Sequence, residues 1–133
     1  MHDAHPQPPP QRKRILLVED DAAARRAIQL LLQSHGYDVR AHASLDGLAE
    51  SPEALAASCL VADLMLGDGD GVRLLRNLRD AGWSGRALLI SGRLTEDWID
   101  RALAGGFDEV LAKPVPERQL VATVNRLAGV DTA

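Results

Sequence analysis

Five polar side chains stand at the ends of short apolar runs in this sequence. Glu19 and Asp20 follow the first run, Asp63 the third and Ser91 the fourth, and Lys113 lies beside the fifth. A carboxylate is a competent nucleophile towards an activated phosphoryl group, and an ammonium or a hydroxyl can stabilise charge on the phosphoryl oxygens. These residue types predict phosphoryl transfer, with Asp63 as the nucleophile and with Ser91 and Lys113 in the stabilising roles.

The same acidic residues indicate a metal site. Carboxylates that share one crevice repel each other, so such a cluster generally has a raised pKa or binds a hard cation. Magnesium is the natural candidate because it accepts oxygen ligands and keeps several waters. The sequence therefore predicts that Glu19, Asp20 and Asp63, with a backbone carbonyl from the loop after Asp63, bind Mg²⁺.

The elements that must position these residues alternate along the chain. Five apolar runs, most of them continuous as in strands buried on both faces, predict strands at Ile15–Val18, Val39–Ala43, Cys59–Ala62, Ala87–Ile90 and Val110–Ala112. Amphipathic segments predict helices at about Ala22–His35, Leu45–Glu50, Val72–Asp80, Thr95–Ala104 and Pro116–Leu127, the second being weak and ended by Pro52. This alternation predicts an α/β fold: a doubly wound, five-stranded parallel sheet with helices on both faces and a ligand crevice at the carboxyl ends of the strands.

Length and composition limit the other possibilities. The 133 residues, 46% of them hydrophobic, are enough for one domain with a packed core. We expect a disordered, proline-rich tail over residues 1–13, the folded domain over 14–128 and a short C-terminal tail over 129–133. Cys59, the single cysteine, lies in an apolar run and is predicted to be a small buried hydrophobic residue.

Charge and hydropathy bear on partners and location. A formal net charge of −4 disfavours direct binding to nucleic acid, which requires a clearly basic face. No stretch approaches the roughly 18 apolar residues that a membrane span requires, and no signal peptide is apparent at the N-terminus. The prediction is a cytoplasmic protein with no membrane partner.

Several spaced motifs together resemble those of the response-regulator receiver domains of two-component signalling. The resemblance covers about Lys13 to Leu127 and lies in Leu17-Val18-Glu19-Asp20-Asp21, Ala62-Asp63-Leu64-Met65-Leu66, Asp70-Gly71, Ile90-Ser91-Gly92 and Ala112-Lys113-Pro114. It implies the flavodoxin-like strand order 2-1-3-4-5, with Asp63 as phosphoacceptor, Glu19 and Asp20 as magnesium ligands and the backbone carbonyl of Met65 as a further ligand. It also implies that Ser91 and Lys113 contact the phosphoryl oxygens, and that the Lys113–Pro114 bond is cis.

The resemblance further implies a mode of action. A sensor histidine kinase or a histidine phosphotransfer protein would supply the phosphoryl group, and the domain would later hydrolyse the aspartyl phosphate. The domain would thus be a self-phosphorylating signalling module rather than a conventional enzyme. Unless the chain is a fragment of a larger protein, the signal would pass to a downstream protein target or along a phosphorelay.

Two positions depart from the usual receiver pattern. Gly67 replaces a common proline, so the loop from Leu66 to Gly71 is expected to be looser. Val110 replaces the aromatic residue that usually moves inward on activation, so the chain lacks the aromatic part of the familiar serine-to-aromatic switch. Trp98 on the fourth predicted helix is an alternative reporter or docking residue, and core packing is the simpler interpretation of it.

Two rival functions stay open at this point. A magnesium-dependent phosphohydrolase of small phosphate esters would also use acids at strand ends, but Met65 stands where such an enzyme would need a second acid. A pseudo-receiver that binds partners without phosphorylation would not need the full set of polar groups that this sequence carries.

Overall fold

The computed structural model describes residues 12–129, so residues 1–11 and 130–133 of the predicted tails lie outside the described part. Within this described range seven strands occur: β1 (Arg14–Val18), β2 (Asp38–His42), β3 (Cys59–Asp63), β4 (Met65–Leu66), β5 (Gly69–Asp70), β6 (Arg86–Ser91) and β7 (Glu109–Ala112). The main sheet has the order β2-β1-β3-β6-β7, and all its neighbouring strands are parallel. With the short β4 and β5 set aside, this is the predicted order 2-1-3-4-5, and the predicted fold class is confirmed.

The two faces of the sheet bury separate apolar clusters because side chains alternate along each strand. One cluster includes Leu16, Leu60 and Leu89 and receives the helices that follow β2, β3 and β6. The other includes Leu17 and Leu88 and receives the first and last helices. Every residue of β3 is buried. Each fully buried leucine contributes about 2 kcal/mol to folding, so these two layers hold the sheet rigidly beneath the strand ends.

Cys59 belongs to the second cluster, as predicted. Its side chain is completely buried, and burial raises the pKa of the thiol to about 12. The thiol is therefore neutral at physiological pH and behaves as a small hydrophobic residue.

Polar side chains fix the starts of three long helices. The α1 helix (Ala22–Ser34) begins after Asp21, whose carboxylate accepts the Ala24 N–H at 2.8 Å. Asp70 caps the third helix, here α3 (Gly71–Asp80), and Thr95 caps α4 (Glu96–Ala104) in the same way. The last helix, α5 (Glu117–Ala128), has no side-chain cap. Because three of the four follow strand ends through capped turns, their first turns lie close to the crevice.

The region between β2 and β3 differs from the prediction. The sequence predicted a weak helix at Leu45–Glu50 ended by Pro52. Instead a single 3-10 turn covers Leu48–Glu50, and Pro52 begins the short helix α2 (Pro52–Leu55). The Ser51 hydroxyl accepts the Ala54 N–H at 3.3 Å, and proline is favoured at the first helical position because its missing N–H has no helical partner there.

The loop after β3 contains two short strands that the sequence did not predict. It forms a small antiparallel hairpin in which Met65 pairs with Asp70 and Leu66 with Gly69. Gly67, which stands where the receiver pattern usually has proline, lies in the two-residue turn of this hairpin. Among residues 12–129, no helix is both long and apolar enough to cross a membrane.

Candidate functional site

The parallel register brings all five predicted site residues to one edge of the sheet. Glu19 directly follows β1, Asp63 and Ser91 are the last residues of β3 and β6, and Lys113 directly follows β7. The ladder continues into the site, because the Lys113 N–H donates to the Ser91 carbonyl at 2.9 Å. This is the carboxyl edge of the strands, where the sequence placed the crevice.

Three carboxylates form the acidic part of the site. One oxygen from each of Glu19, Asp20 and Asp63 lies within 4.8 Å of the other two. Glu19 is completely buried and Asp63 is 8% exposed, whereas Asp20 faces solvent. The cluster thus extends from the protein interior to the surface, and its donor atoms are oxygens only, which suits a hard cation such as Mg²⁺.

The ammonium of Lys113 lies between two of these acids. Its Nζ donates to Asp63 Oδ2 at 2.7 Å and also to Glu19 Oε1. Burial of Lys113 is the largest single influence on its pKa and acts to lower it, but the hydrogen bonds with Asp63 and Glu19 outweigh burial, so the pKa is raised. Lys113 therefore stays cationic at neutral pH.

The pKa of Glu19 is also raised, but here burial outweighs the hydrogen bond with Lys113. Burial is the largest influence on its pKa and raises it, and the charge of Asp63 adds to this effect. The hydrogen bond from Lys113 acts against the rise without cancelling it. Lys113 is therefore the main group that opposes protonation of this buried carboxylate.

Backbone amides hold the carboxylates in place. Asp63 Oδ1 accepts the Met65 N–H at 3.2 Å, and Glu19 Oε2 accepts the Asp21 N–H at 3.3 Å. Within residues 12–129, every buried side-chain nitrogen or oxygen has a hydrogen-bond partner. Both oxygens of the Asp63 carboxylate are thus engaged, which fixes its orientation towards the crevice.

Ser91 is buried at the end of β6, 1% exposed, and its hydroxyl oxygen accepts the Arg93 N–H at 3.1 Å. The neighbouring strand β3 pairs Asp63 with the residue just before Ser91, so the two side chains belong to adjacent strand ends. The Lys113–Pro114 peptide bond is cis, as the resemblance implied.

Arg25 is a site residue that the sequence did not reveal. Arg25 and Arg26 are consecutive residues of α1, and Arg26 is exposed. Arg25, however, turns towards the crevice, and its guanidinium donates to the carbonyl of Glu19 at 2.8 Å and to that of Asp20 at 3.5 Å. Neither carbonyl can be identified as an acceptor from the sequence, because both are backbone groups.

Gly71 is a second residue whose role the sequence did not reveal. A Cβ atom at this position would lie 2.6 Å from the Asp63 carbonyl oxygen and 2.8 Å from Leu89 Cδ1. The Gly71 N–H also donates to the Leu64 carbonyl at 2.8 Å. Glycine is therefore required here so that the start of α3 can pack against the end of β3.

Comparison with known proteins places this site in context. A family model described as "Response regulator receiver domain" matches residues 15–125. The TorCAD operon transcriptional regulatory protein TorR of Escherichia coli K12 is 34% identical over 102 residues, which cover 75% of this chain and 43% of TorR. The transcriptional regulatory protein AruR of Pseudomonas aeruginosa is 36% identical over 114 residues, which cover 77% of this chain and 44% of AruR. The chain therefore spans less than half the length of these two relatives.

The similarity of fold extends to solved structures. A CheY-like response regulator receiver domain protein from Methanospirillum hungatei JF-1 superposes with a TM-score of 0.80 at 23% identity, covering 90% of this chain and 95% of that one. The chemotaxis protein CheY4 from Vibrio cholerae superposes with a TM-score of 0.79 at 21% identity, and the match covers 88% of this chain and 99% of that one. At these sequence identities the structural likeness shows a shared fold and no more.

Proposed function

This chain belongs to the response regulator receiver domain family of two-component signalling, and from that membership we propose that it accepts a phosphoryl group on Asp63. One observation supports this assignment above the others: the Asp63 carboxylate lies at the strand edge with the Lys113 ammonium 2.7 Å from its Oδ2. An anionic nucleophile next to a fixed cation is suited to attack on a group that is itself negatively charged.

The proposed donor is a phosphohistidine on a sensor kinase or a histidine phosphotransfer protein. An oxygen of Asp63 forms a bond to phosphorus while the bond from phosphorus to the imidazole nitrogen breaks. That nitrogen keeps the electron pair and is left as an ordinary histidine. The Lys113 ammonium and the Ser91 hydroxyl donate hydrogen bonds to the phosphoryl oxygens, so the positions of both on the strand edge stabilise the developing charge. Water later attacks the phosphorus atom, the bond from phosphorus to the Asp63 oxygen breaks, and inorganic phosphate leaves while the carboxylate is restored.

We assign the magnesium site to Glu19, Asp20 and Asp63, with the backbone carbonyl of Met65 as a further ligand. The all-oxygen donor set and the mutual distances within 4.8 Å fit this cation. Bound magnesium would neutralise negative charge on the phosphoryl oxygens. Arg25 contributes indirectly, because it holds the backbone on which Glu19 and Asp20 stand.

The proposed output is a change at the ends of β6 and β7 and at α4 and α5. A phosphoryl group adds charge and hydrogen-bond acceptors beside Ser91 and Lys113, which lie at the ends of β6 and β7. Val110, in the middle of β7, is too small to make the aromatic movement that many receivers use, so we assign the response to the loop after Ser91. The recipient is a downstream protein or the next member of a phosphorelay, with no direct contact to nucleic acid, and the cytoplasm is the proposed location.

Transfer from a labelled phosphohistidine domain tests this function. We expect the label to move to the native chain in the presence of magnesium and to be lost on alkaline treatment, as an acyl phosphate is. The Asp63→Asn variant should accept none. If the label remains on the donor and the chain also fails to bind fluoroberyllate with magnesium, the proposal is contradicted. That pair of results is the behaviour expected of a pseudo-receiver. Steady turnover of a generic phosphate ester would instead favour a phosphohydrolase.

A further inference from the structure

A groove of about 540 Å³ lies between α3 and α4, and none of the five site residues lines it. Three arginines, Arg73 and Arg76 from α3 and Arg101 from α4, line it together with Trp98. Its apolar part includes Val72. The groove thus combines positive charge with an aromatic ring, on a chain whose formal net charge is −4.

The walls of the groove are held close together. A Cβ atom at Gly105, just after α4, would lie 3.0 Å from Val72 Cγ1 and 3.1 Å from the Arg101 carbonyl oxygen. Val72 and Trp98 both pack against the buried core cluster on this face of the sheet. The groove is therefore formed before any partner binds, which lowers the entropic cost of binding.

The positive charge in the groove is largely uncompensated. Within residues 12–129, neither Arg73 nor Arg76 has a carboxylate at salt-bridge distance, and both side chains are exposed. The one acid of the groove, Asp70, accepts the backbone N–H of Arg73 at 2.8 Å as a helix cap. Arg101 pairs with Asp97 only at 3.6 Å, and both of these side chains are well exposed. Each guanidinium can therefore form an ion pair with a carboxylate of another molecule.

Trp98 supplies an anchor beside these charges. The guanidinium carbon of Arg101 lies 4.8 Å from the centre of its ring, a cation–π distance that holds both side chains at the groove. The ring is partly buried and partly exposed. Tryptophan and arginine are the residue types that contribute most to binding energy at protein interfaces.

The charges around the groove favour a protein partner over nucleic acid. Glu96, Asp97 and Asp100 on α4 are exposed, so a partner must confine its negative charge to the groove. A protein helix with two acids can do so, whereas a phosphate backbone carries its charge on past these acids. Arg73 and Arg76 are three residues apart on α3, so they lie about one helical turn apart. Two carboxylates spaced by one turn on another helix match this separation.

We propose that the α3–α4 groove binds an acidic helical segment of a partner protein. Two carboxylates of that segment, one turn apart, pair with Arg73 and Arg76, and an apolar side chain beside them packs on Trp98. This contact requires no phosphorylation of Asp63. The test therefore uses the unphosphorylated full chain, and its failure would leave the proposed phosphoacceptor function unaffected.

The test titrates the isotope-labelled chain with a synthetic helical peptide that carries two glutamates one turn apart next to a leucine. We expect the amide signals of α3 and α4 and the indole signal of Trp98 to shift. Reversing two charges with Arg73→Glu and Arg76→Glu should weaken binding about ten-fold or more. The matched control, Arg26→Glu with Arg118→Glu, changes the net charge equally on exposed arginines elsewhere and should leave the affinity within about two-fold of the native value.

Three results would overturn the proposal. Equal weakening by the control pair would show that only net charge matters. Undiminished binding of the same peptide with glutamine in place of both glutamates would remove the ion pairs from the contact. Tighter binding of a short oligonucleotide at the same signals would identify a different partner class. Thermal unfolding of each variant, together with the milder pair Arg73→Gln and Arg76→Gln, separates these results from loss of the fold.

Discussion

Removing the Lys113 side chain is expected to destabilise the domain by leaving two acids without their cation. Glu19 is completely buried, and Lys113 donates hydrogen bonds to both Glu19 and Asp63. Removing one partner of a buried ion pair costs about 3 to 5 kcal/mol. The Lys113 side chain is 27% exposed, so solvent screens part of this effect. We therefore expect Lys113→Ala to lower the free energy of unfolding by about 2 to 3 kcal/mol at neutral pH without magnesium.

The loss should depend on pH in a defined direction. The pKa of Glu19 is raised in the folded chain, so its charge weighs against folding only above its ordinary value of 4.5. Below that value Glu19 is protonated in the folded and unfolded chains alike, and the missing ammonium matters less. The difference between native and variant should therefore shrink by about half or more near pH 4. In the native chain the Lys113 contribution should persist up to its ordinary pKa of 10.5 and disappear as the pH passes the raised folded value.

Urea unfolding followed by tryptophan fluorescence measures this difference, because Trp83 is only 5% exposed in the folded chain. Lys13, the other lysine of the sequence, is exposed, so Lys13→Ala is the matched control and should change stability by less than about 0.5 kcal/mol. A Lys113→Ala loss as small as that of the control, or one of equal size at neutral and acid pH, would refute the assigned ion pairs.

Three further outcomes are expected. Arg25→Ala should weaken magnesium binding several-fold in calorimetry, because the backbone carbonyls of Glu19 and Asp20 lose the guanidinium that holds them. Arg26→Ala should not weaken it, and equal effects of the two variants would contradict the positioning role of Arg25. Gly71→Ala should cost about 2 kcal/mol in urea unfolding because its Cβ would clash with the end of β3, while Gly67→Ala, with open space around it, should cost far less. Alkylation of Cys59 should follow the rate of unfolding, since its pKa of about 12 keeps the buried thiol neutral; rapid alkylation of the folded chain would contradict this.

Much of the fold could be predicted because its signals are local and repeated. Continuous apolar runs such as Cys59–Ala62 are typical of strands covered on both faces, and β3 is buried throughout. The helix starts at Asp21, Asp70 and Thr95 are short-range capping patterns that depend on a few adjacent residues. The convergence of the five polar residues then follows from parallel topology, since the carboxyl ends of parallel strands share one edge.

The residues that the sequence did not reveal depend on contacts between distant or backbone atoms. Arg25 looks like any surface arginine until the fold shows that its guanidinium reaches the carbonyl of Glu19. The requirement for glycine at position 71 arises from the approach of β3 and of the Leu89 side chain. By contrast, the start of α2 could have been found, because serine followed by proline is a local signal for the first turn of a helix.

The intact mass of the chain after incubation with acetyl phosphate and magnesium tests the central claim most directly. We predict that the native chain gains the mass of one phosphoryl group, that chelation of magnesium prevents the gain, and that Asp63→Asn shows none. A gain of the same size in Asp63→Asn would place the phosphoryl group on another residue and contradict the role assigned to Asp63.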